Sequence, residues 1–438
     1  MPMIKYVMSS FLALTLIVAG PSVSVAGDSS SGEQKQKQRK TKKTPSMSAR
    51  IYEKLTKAQE LIEEKKYEAG LNALRAIEAL PKLQNYEKAQ LYNYFAYTYF
   101  TMEQYKQAIN YYKKVLAQPD LPEGLQQNSL YTLAQLYFIQ EDYKQAIATI
   151  KRWFASAPKP TENAYMLLGQ GYYQLEDYKQ SLASLQKAYK LVKERDGKPK
   201  ENLLLLMRVN YFNLDDFKSM VNVLKELVVL YPKREYWLTM AGAYSELKRF
   251  DKQLAILEML YEQGHLEKGS QQLNLANLYL LHDAPYKAAV LMDKGMGEKK
   301  IEQNIRNLRL LSQAWLLAQE SKRSIPPLKQ AANLSKDGDL NVRLAQAYMN
   351  LDSYKEAVAS LDDAFKKGDL KDEGQAYIMQ GLAQFELQKF DAAIRAFKVA
   401  TKDKKNRKTA ENWLQYVTAE VDRKEQLEAS LKSTKVRR

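Results

Sequence analysis

The sequence predicts an all-α protein in which helix-turn-helix units repeat along the chain as an α-solenoid. Three observations lead to this prediction. Glycine (17) and proline (13) are scarce among the 438 residues, which favours long stretches of helix. Apolar residues make up 45% of the chain, enough for a sizeable core. A short motif recurs ten times at spacings of 33–39 residues, the period of a helical repeat array.

The recurring motif is clearest in three nearly identical copies, Glu103–Ala108, Glu141–Ala146 and Glu176–Ser181. An aromatic residue at the third position of each copy, here called the anchor, has a counterpart in seven looser copies. The ten anchors are Tyr67, Tyr105, Tyr143, Tyr178, Phe217, Phe250, Tyr286, Ser321, Tyr354 and Phe390. A small residue follows most anchors three positions later. Small side chains there allow two helices to approach closely.

A leucine, a small residue and an aromatic residue precede most anchors, as in Leu133, Ala134 and Tyr137. Their i, i+1 and i+4 spacing places them on one face of a first helix. This pattern resembles the tetratricopeptide repeat, over about residues 50–400. The resemblance implies a right-handed superhelix of about ten repeats whose first helices line a concave groove. Met220 and Gln253 replace the small residue, so we expect looser packing in the fifth and sixth repeats.

The chain divides into four predicted segments. They are a secretory signal peptide (1–26), a basic disordered leader (27–50), the repeat array (51–400), and a capping helix with a basic tail (401–438). The first segment has one lysine, a short apolar run and small residues before Ala26, where cleavage is expected. An uncleaved membrane anchor is the alternative. Export predicts a periplasmic location in a Gram-negative bacterium. A capping helix with Trp413, Leu414 and Val417 on one face is expected over 407–425, and the last dozen residues are expected to be disordered.

The net charge of +16 is concentrated at the two ends of the chain. Residues 27–50 hold seven basic and two acidic residues, and residues 401–438 hold eleven and six. The array between them is nearly balanced. Because the protein is predicted to be exported, we expect no nucleic-acid partner and at most weak contact of the basic ends with an anionic membrane surface.

Residues that could perform catalysis or bind a metal are few. Cysteine is absent, so disulfides and thiolate sites are excluded, and only His265 and His282 are available for a histidine site. The glycines at 264 and 269 have the spacing of a phosphate-binding loop, but Ser270 stands where that loop needs lysine. The sequence therefore predicts a protein that is not an enzyme and has no cofactor or metal.

The groove predicted from the repeat register contains amides, aromatic residues and two arginines. Amides pair with a peptide backbone, and aromatic side chains provide apolar contacts. The predicted residues are Asn93, Tyr97, Phe100, Tyr131, Gln135, Phe138, Gln170, Tyr173, Phe212, Asn277, Arg306, Arg309, Gln313 and Gln346. Some of the aromatic residues could instead pack within the array, and the arginines could be solvated charges. The carboxylate clamp of chaperone-binding tetratricopeptide proteins needs paired asparagine and lysine or arginine at fixed groove positions in adjacent repeats. Only Asn277 fits, so that carboxylate clamp is not expected.

Four longer strings resemble one group of these proteins, the periplasmic tetratricopeptide proteins associated with TonB–ExbB–ExbD energy-transduction systems. The strings are Gln118–Leu125, Ser129–Tyr137, Tyr231–Leu238 and Ala284–Ala289. The resemblance implies an adaptor that holds TonB, ExbB or ExbD components during energised uptake of iron complexes. The alternative function is a cell-envelope assembly factor that binds peptidoglycan or the outer-membrane biogenesis machinery.

Overall fold

The computed structural model describes residues 46–157 and 159–436, and within these ranges it contains 21 α-helices and no strand. The predicted all-α fold is thereby confirmed. The chain forms two compact units, with the boundary between Leu247 and Lys248. The predicted signal peptide and all but the last five residues of the predicted leader lie outside the described residues.

The first unit contains eleven helices within the described residues, mostly arranged as first and second helices of successive repeats. They are α1 (Ala49–Glu63), α2 (Tyr67–Glu78), α3 (Asn85–Thr101), α4 (Tyr105–Leu116), α5 (Glu123–Ile139), α6 (Tyr143–Ser156), α7 (Glu162–Gln174), α8 (Tyr178–Lys193), α9 (Glu201–Asn213), α10 (Phe217–Leu230) and α11 (Arg234–Glu246). The first helix begins at Ala49, so the structured array starts two residues earlier than predicted.

The second unit contains the remaining ten helices. They are α12 (Phe250–Glu262), α13 (Gly269–Leu281), α14 (Pro285–Gly297), α15 (Ile305–Leu317), α16 (Ser321–Leu334), α17 (Asp339–Met349), α18 (Tyr354–Lys367), α19 (Glu373–Glu386), α20 (Phe390–Ala400) and α21 (Arg407–Val436). The sequence after residue 425 contains no glycine or proline that would end α21.

A left-handed residue marks the turn inside every repeat. It lies two positions before the start of each second helix, as in Glu103 (φ 58°) and Glu141 (φ 58°), and none of the ten is glycine. The following backbone N–H donates back to the first helix, as Gln104 N does to the Tyr99 carbonyl oxygen (2.8 Å). This turn ends one helix and starts the next. Each anchor is accordingly the first residue of a second helix, or the second in the case of Tyr286.

Small residues join the two helices of a repeat, as the spacing predicted. Gly169 on α7 faces α8, and a Cβ placed on it would lie 2.7 Å from the Leu185 side chain. Ser181, the small residue after the anchor, donates from its hydroxyl to the Gly169 carbonyl oxygen (2.8 Å). The two backbones are therefore close enough that a larger side chain would force them apart.

Lysines from second helices lie over tyrosine rings in both units. The Lys114 ammonium lies 4.4 Å from the ring centre of Tyr111 and 5.2 Å from that of Tyr92. In the second unit, Lys287 lies over Tyr279 and also pairs with Glu258 (2.7 Å). Burial raises the pKa of Tyr279, and its hydrogen bond to Glu258 raises it further. These cation–π contacts lie within one repeat, whereas the ion pair between Lys287 and Glu258 joins two neighbouring repeats.

The C-terminal helix α21 covers the end of the second unit, as a capping helix should. Val417 is buried, and Trp413 and Leu414 pack beside it on the same face. The Trp413 ring stacks on the fully buried Phe397 ring, with centroids 6.2 Å apart and planes at 9°. Within the described residues, no helix is both long and apolar enough to span a membrane.

Candidate functional site

The candidate site is the surface formed by the first helices, which we call the first-helix face and describe separately for each unit. In the first unit it carries most of the predicted aromatic residues. Four of them lie five residues before an anchor and pack on that anchor within their own repeat. The ring pairs are Phe100–Tyr105 (5.9 Å), Phe138–Tyr143 (5.2 Å), Tyr173–Tyr178 (5.7 Å) and Phe212–Phe217 (6.2 Å). These aromatic residues therefore stabilise the turn between the two helices.

Their availability to a partner differs along the first unit. Gln135 and Phe138 are buried, so the structure places them in the core and not on an open groove. Tyr131 is half-buried against Trp153 (5.7 Å between ring centres). The prediction that Gln135 and Phe138 face a ligand is corrected by their burial, and the indole covers part of Tyr131. Phe212 is different, because 54% of its surface is exposed.

The remaining predicted residues of the first unit are half-buried. They are Asn93, Tyr97, Phe100, Gln170 and Tyr173. Burial raises the pKa of Tyr173, which keeps its hydroxyl neutral over the physiological range. These side chains offer amide and hydroxyl groups at the edges of an otherwise packed surface.

In the second unit, the predicted residues of the first-helix face are exposed to solvent. Asn277 on α13, Gln313 on α15 and Gln346 on α17 occupy equivalent positions in three successive repeats, and all three are exposed. Arg306 and Arg309 are also exposed, and neither forms an ion pair with another described residue. Amides and arginines are therefore accessible together along three neighbouring helices.

Apolar residues on this surface were missed by the sequence reasoning. Leu281 and Leu317 are 59% and 57% exposed, each four residues after an exposed amide and hence one helical turn further along. Leu316 is 38% exposed beside them. The i+4 spacing from Asn277 and Gln313 was the signal that could have identified the two leucines.

The charge of the second-unit face is positive over α13, α15 and α17 together, whereas the charged residues of α19 are the glutamates Glu373 and Glu386. Helix α13 contains no charged residue, and α15 contains two arginines and no acid. On α17, the carboxylate of Asp339 is already paired with Lys371 (3.1 Å), while Arg343 is exposed. This surface therefore favours an anionic and partly apolar ligand.

The described residues contain two histidines and no cysteine. No cluster of three or more histidine, aspartate or glutamate side chains there could hold a metal ion. His265 is half-buried and His282 is exposed, each at the end of a helix. What the described surface offers is hydrogen bonding, apolar contact and positive charge.

Family models match three segments of the chain. Residues 342–407 and 89–117 match tetratricopeptide repeat models, and residues 123–188 match the model of anaphase-promoting complex, cyclosome, subunit 3. The chain therefore contains tetratricopeptide repeats, an architecture that provides extended surfaces for protein–protein interaction.

Several solved structures are similar to this chain at low identity. A tetratricopeptide repeat protein from Parabacteroides merdae is 14% identical, with 60% of this chain and all of that chain covered and a TM-score of 0.34. YrrB, a protein with an unusual peptide-binding site, is 18% identical over 39% and 83% of the two chains (TM-score 0.33). The TPR2AB domain in its pHSP90 complex, from yeast Sti1, is 14% identical over 62% and 99% (TM-score 0.35). No curated protein matches the sequence.

Proposed function

We propose that the protein is a non-enzymatic adaptor that binds an extended segment of a protein partner on the first-helix face of its second unit. The observation that carries this proposal is the row of exposed amides, Asn277, Gln313 and Gln346, on three successive first helices. Side-chain amides can donate to and accept from the backbone of an extended peptide.

The spacing of the repeats suits an extended chain. Packed helices lie about 8–10 Å apart. An extended peptide rises about 3.3 Å per residue, so about every third residue of the ligand would meet a new first helix. Leu281 and Leu317 would contact apolar side chains of the ligand, while Arg306 and Arg309 would select acidic ones. The preferred ligand is therefore an extended segment with interspersed acidic and apolar residues.

A charge reversal tests this preference. Two fluorescein-labelled dodecapeptides, identical except for glutamate or lysine at every third position, are titrated into the full chain and followed by fluorescence anisotropy. The wild type should prefer the glutamate peptide, and Arg306→Glu with Arg309→Glu should weaken its binding by about tenfold or more and favour the lysine peptide.

A matched control changes the net charge equally on a second helix. Lys322→Glu with Lys329→Glu alters two exposed side chains on α16 and should leave the preference for the glutamate peptide intact. The proposal would be contradicted by equal effects of the two double variants, or by a wild type that does not distinguish the peptides.

We further propose that the protein acts in the periplasm as an accessory to TonB-dependent uptake of iron complexes, with TonB, ExbB or ExbD components as partners. The signal-like residues 1–26 and the four strings that resemble TonB-associated proteins support this assignment. A deletion strain should grow more slowly under iron limitation and recover on complementation. Normal iron-limited growth, together with capture of peptidoglycan enzymes or outer-membrane assembly proteins, would instead favour the envelope-assembly function.

A further inference from the structure

Arg208 occupies a position in the fifth repeat that is small in every other repeat. Counting from each second helix, the equivalent residues are Ala58, Ala96, Ala134, Gly169, Ala241, Ala276, Ser312, Ala345 and Gly381. All nine are buried. The Arg208 side chain therefore occupies a position at which the other nine repeats have a small residue between two closely packed helices.

The facing position on the second helix is altered as well. Met220 on α10 replaces the small residue that follows the anchor, and it is buried. In the preceding repeat the corresponding pair, Gly169 and Ser181, is joined by a hydrogen bond of 2.8 Å. Two long side chains replace that close contact, and α9 and α10 contact each other less extensively than α7 and α8 do. The predicted loosening of the fifth repeat is thus visible here.

The charge of Arg208 has no partner among the described residues. The side chain is half-buried and forms neither a hydrogen bond nor an ion pair there. Its electrostatic neighbours are the hydroxyl groups of Tyr236 and Tyr173, and burial lowers the pKa of its guanidinium. Glu201 lies on the same helix, but its carboxylate already forms an ion pair with Lys233 (2.6 Å) and accepts a hydrogen bond from the Tyr236 hydroxyl. A partly desolvated cation without a counter-charge is unfavourable.

An exposed aromatic residue adjoins this cation. Phe212 lies one helical turn after Arg208 and is 54% exposed. A ligand that paired with the guanidinium could therefore cover this ring at the same time. The chain's own segments outside the described residues are rich in lysine and arginine, so they are poorly suited to supply the counter-charge.

We propose that Arg208 is a carboxylate-binding residue that receives an acidic side chain of a protein partner, with an adjacent apolar side chain of that partner covering Phe212. The arginine fork can donate hydrogen bonds to both oxygens of one carboxylate, which a lysine cannot match. This site belongs to the first unit and does not depend on the peptide surface proposed for the second.

The test combines binding with stability. Peptides that bind the full wild-type chain are selected from a displayed library of random dodecapeptides and measured against Arg208→Met, Arg208→Lys and Lys218→Ala. A group of the selected peptides, each with an acidic residue next to an apolar one, should bind Arg208→Met about tenfold or more weakly. Arg208→Lys should lie between, and the exposed α10 control Lys218→Ala should match the wild type.

If Arg208 served only to stabilise the fold, its replacement would lower the melting temperature. Arg208→Met replaces an unpaired, half-buried charge by an apolar side chain of similar volume. The melting temperature should therefore stay the same or rise by about 2–4 °C. Peptides that lose binding to Arg208→Met should retain it with Arg306→Glu and Arg309→Glu, which separates this site from the second-unit surface. A melting temperature that falls on Arg208→Met, or the absence of any selected peptide that depends on Arg208, would overturn the proposal.

Discussion

Replacing Phe397 by alanine is expected to lower the stability of the second unit by about 3–5 kcal/mol, the usual cost of removing a buried aromatic ring. Phe397 is fully buried and stacks on Trp413 of the capping helix α21. Its ring also fills the space beside Gly381, where a Cβ would lie 2.6 Å away. Loss of the ring should therefore release the capping helix before the rest of the unit unfolds.

Urea denaturation and hydrogen exchange measure this effect. Amide exchange in residues 407–436 should rise in the Phe397→Ala protein while α1–α6 remain protected. Val399→Ala provides the control, because Val399 lies two residues away on the same helix and is 37% exposed. If the amide exchange rates in α21 are the same in both variants, Phe397 does not stabilise the packing of the capping helix.

Replacing Glu87 by glutamine is expected to destabilise the start of the array by about 1.5–3 kcal/mol at neutral pH, since charged hydrogen bonds are lost. Glu87 on α3 is only 3% exposed. Its carboxylate accepts hydrogen bonds from the backbone N–H of Ser48 (3.0 Å), the Ser48 hydroxyl (2.7 Å) and the backbone N–H of Gln84 (2.9 Å). The residue thereby joins the N-terminus of α1 to that of α3.

This effect should depend on pH in a defined direction. Burial acts to raise the pKa of Glu87, but the hydrogen bonds from Gln84 and Ser48 outweigh it, so the pKa lies below the ordinary value of 4.5. A carboxyl with a lowered folded-state pKa stabilises the protein above its unfolded pKa, and this stabilisation is lost as the pH falls through the folded value.

The difference in unfolding free energy between wild type and Glu87→Gln should therefore be constant near neutrality and shrink below about pH 4.5. Exchange of α1 amides, followed between pH 3.5 and 7, gives the local readout. Glu53→Gln is the control, because Glu53 is an exposed residue of α1 that pairs with Lys57 one turn along the same helix. A difference that grew on acidification would show that the hydrogen bonds do not favour the charged form.

The repeats could be predicted from the sequence because their signals are local. An anchor such as Tyr143, with a small residue three positions later, specifies where a second helix begins and how closely it packs. Ten copies of one pattern reinforce each other, so departures at single positions do not disturb the register. The same reasoning located Trp413, Leu414 and Val417 on the packed face of the last helix.

The accessibility of the first-helix face could not be predicted in this way. Gln135 and Gln313 occupy the same position in their repeats, yet the first is buried and the second is exposed. Register alone does not say how much space the adjacent side chains fill. Arg208 was missed by the sequence reasoning, although a comparison of the small position across all ten repeats would have revealed it.

The left-handed turn residues bear on the mutational robustness of the chain. In all ten repeats this residue is exposed and carries a side chain, although glycine would adopt the same conformation with about 1 kcal/mol less strain. Each turn is thus a site where a single substitution could increase stability without changing either first-helix face. The cost of a residue such as Arg208 could therefore be offset by a glycine substitution at any of these turns.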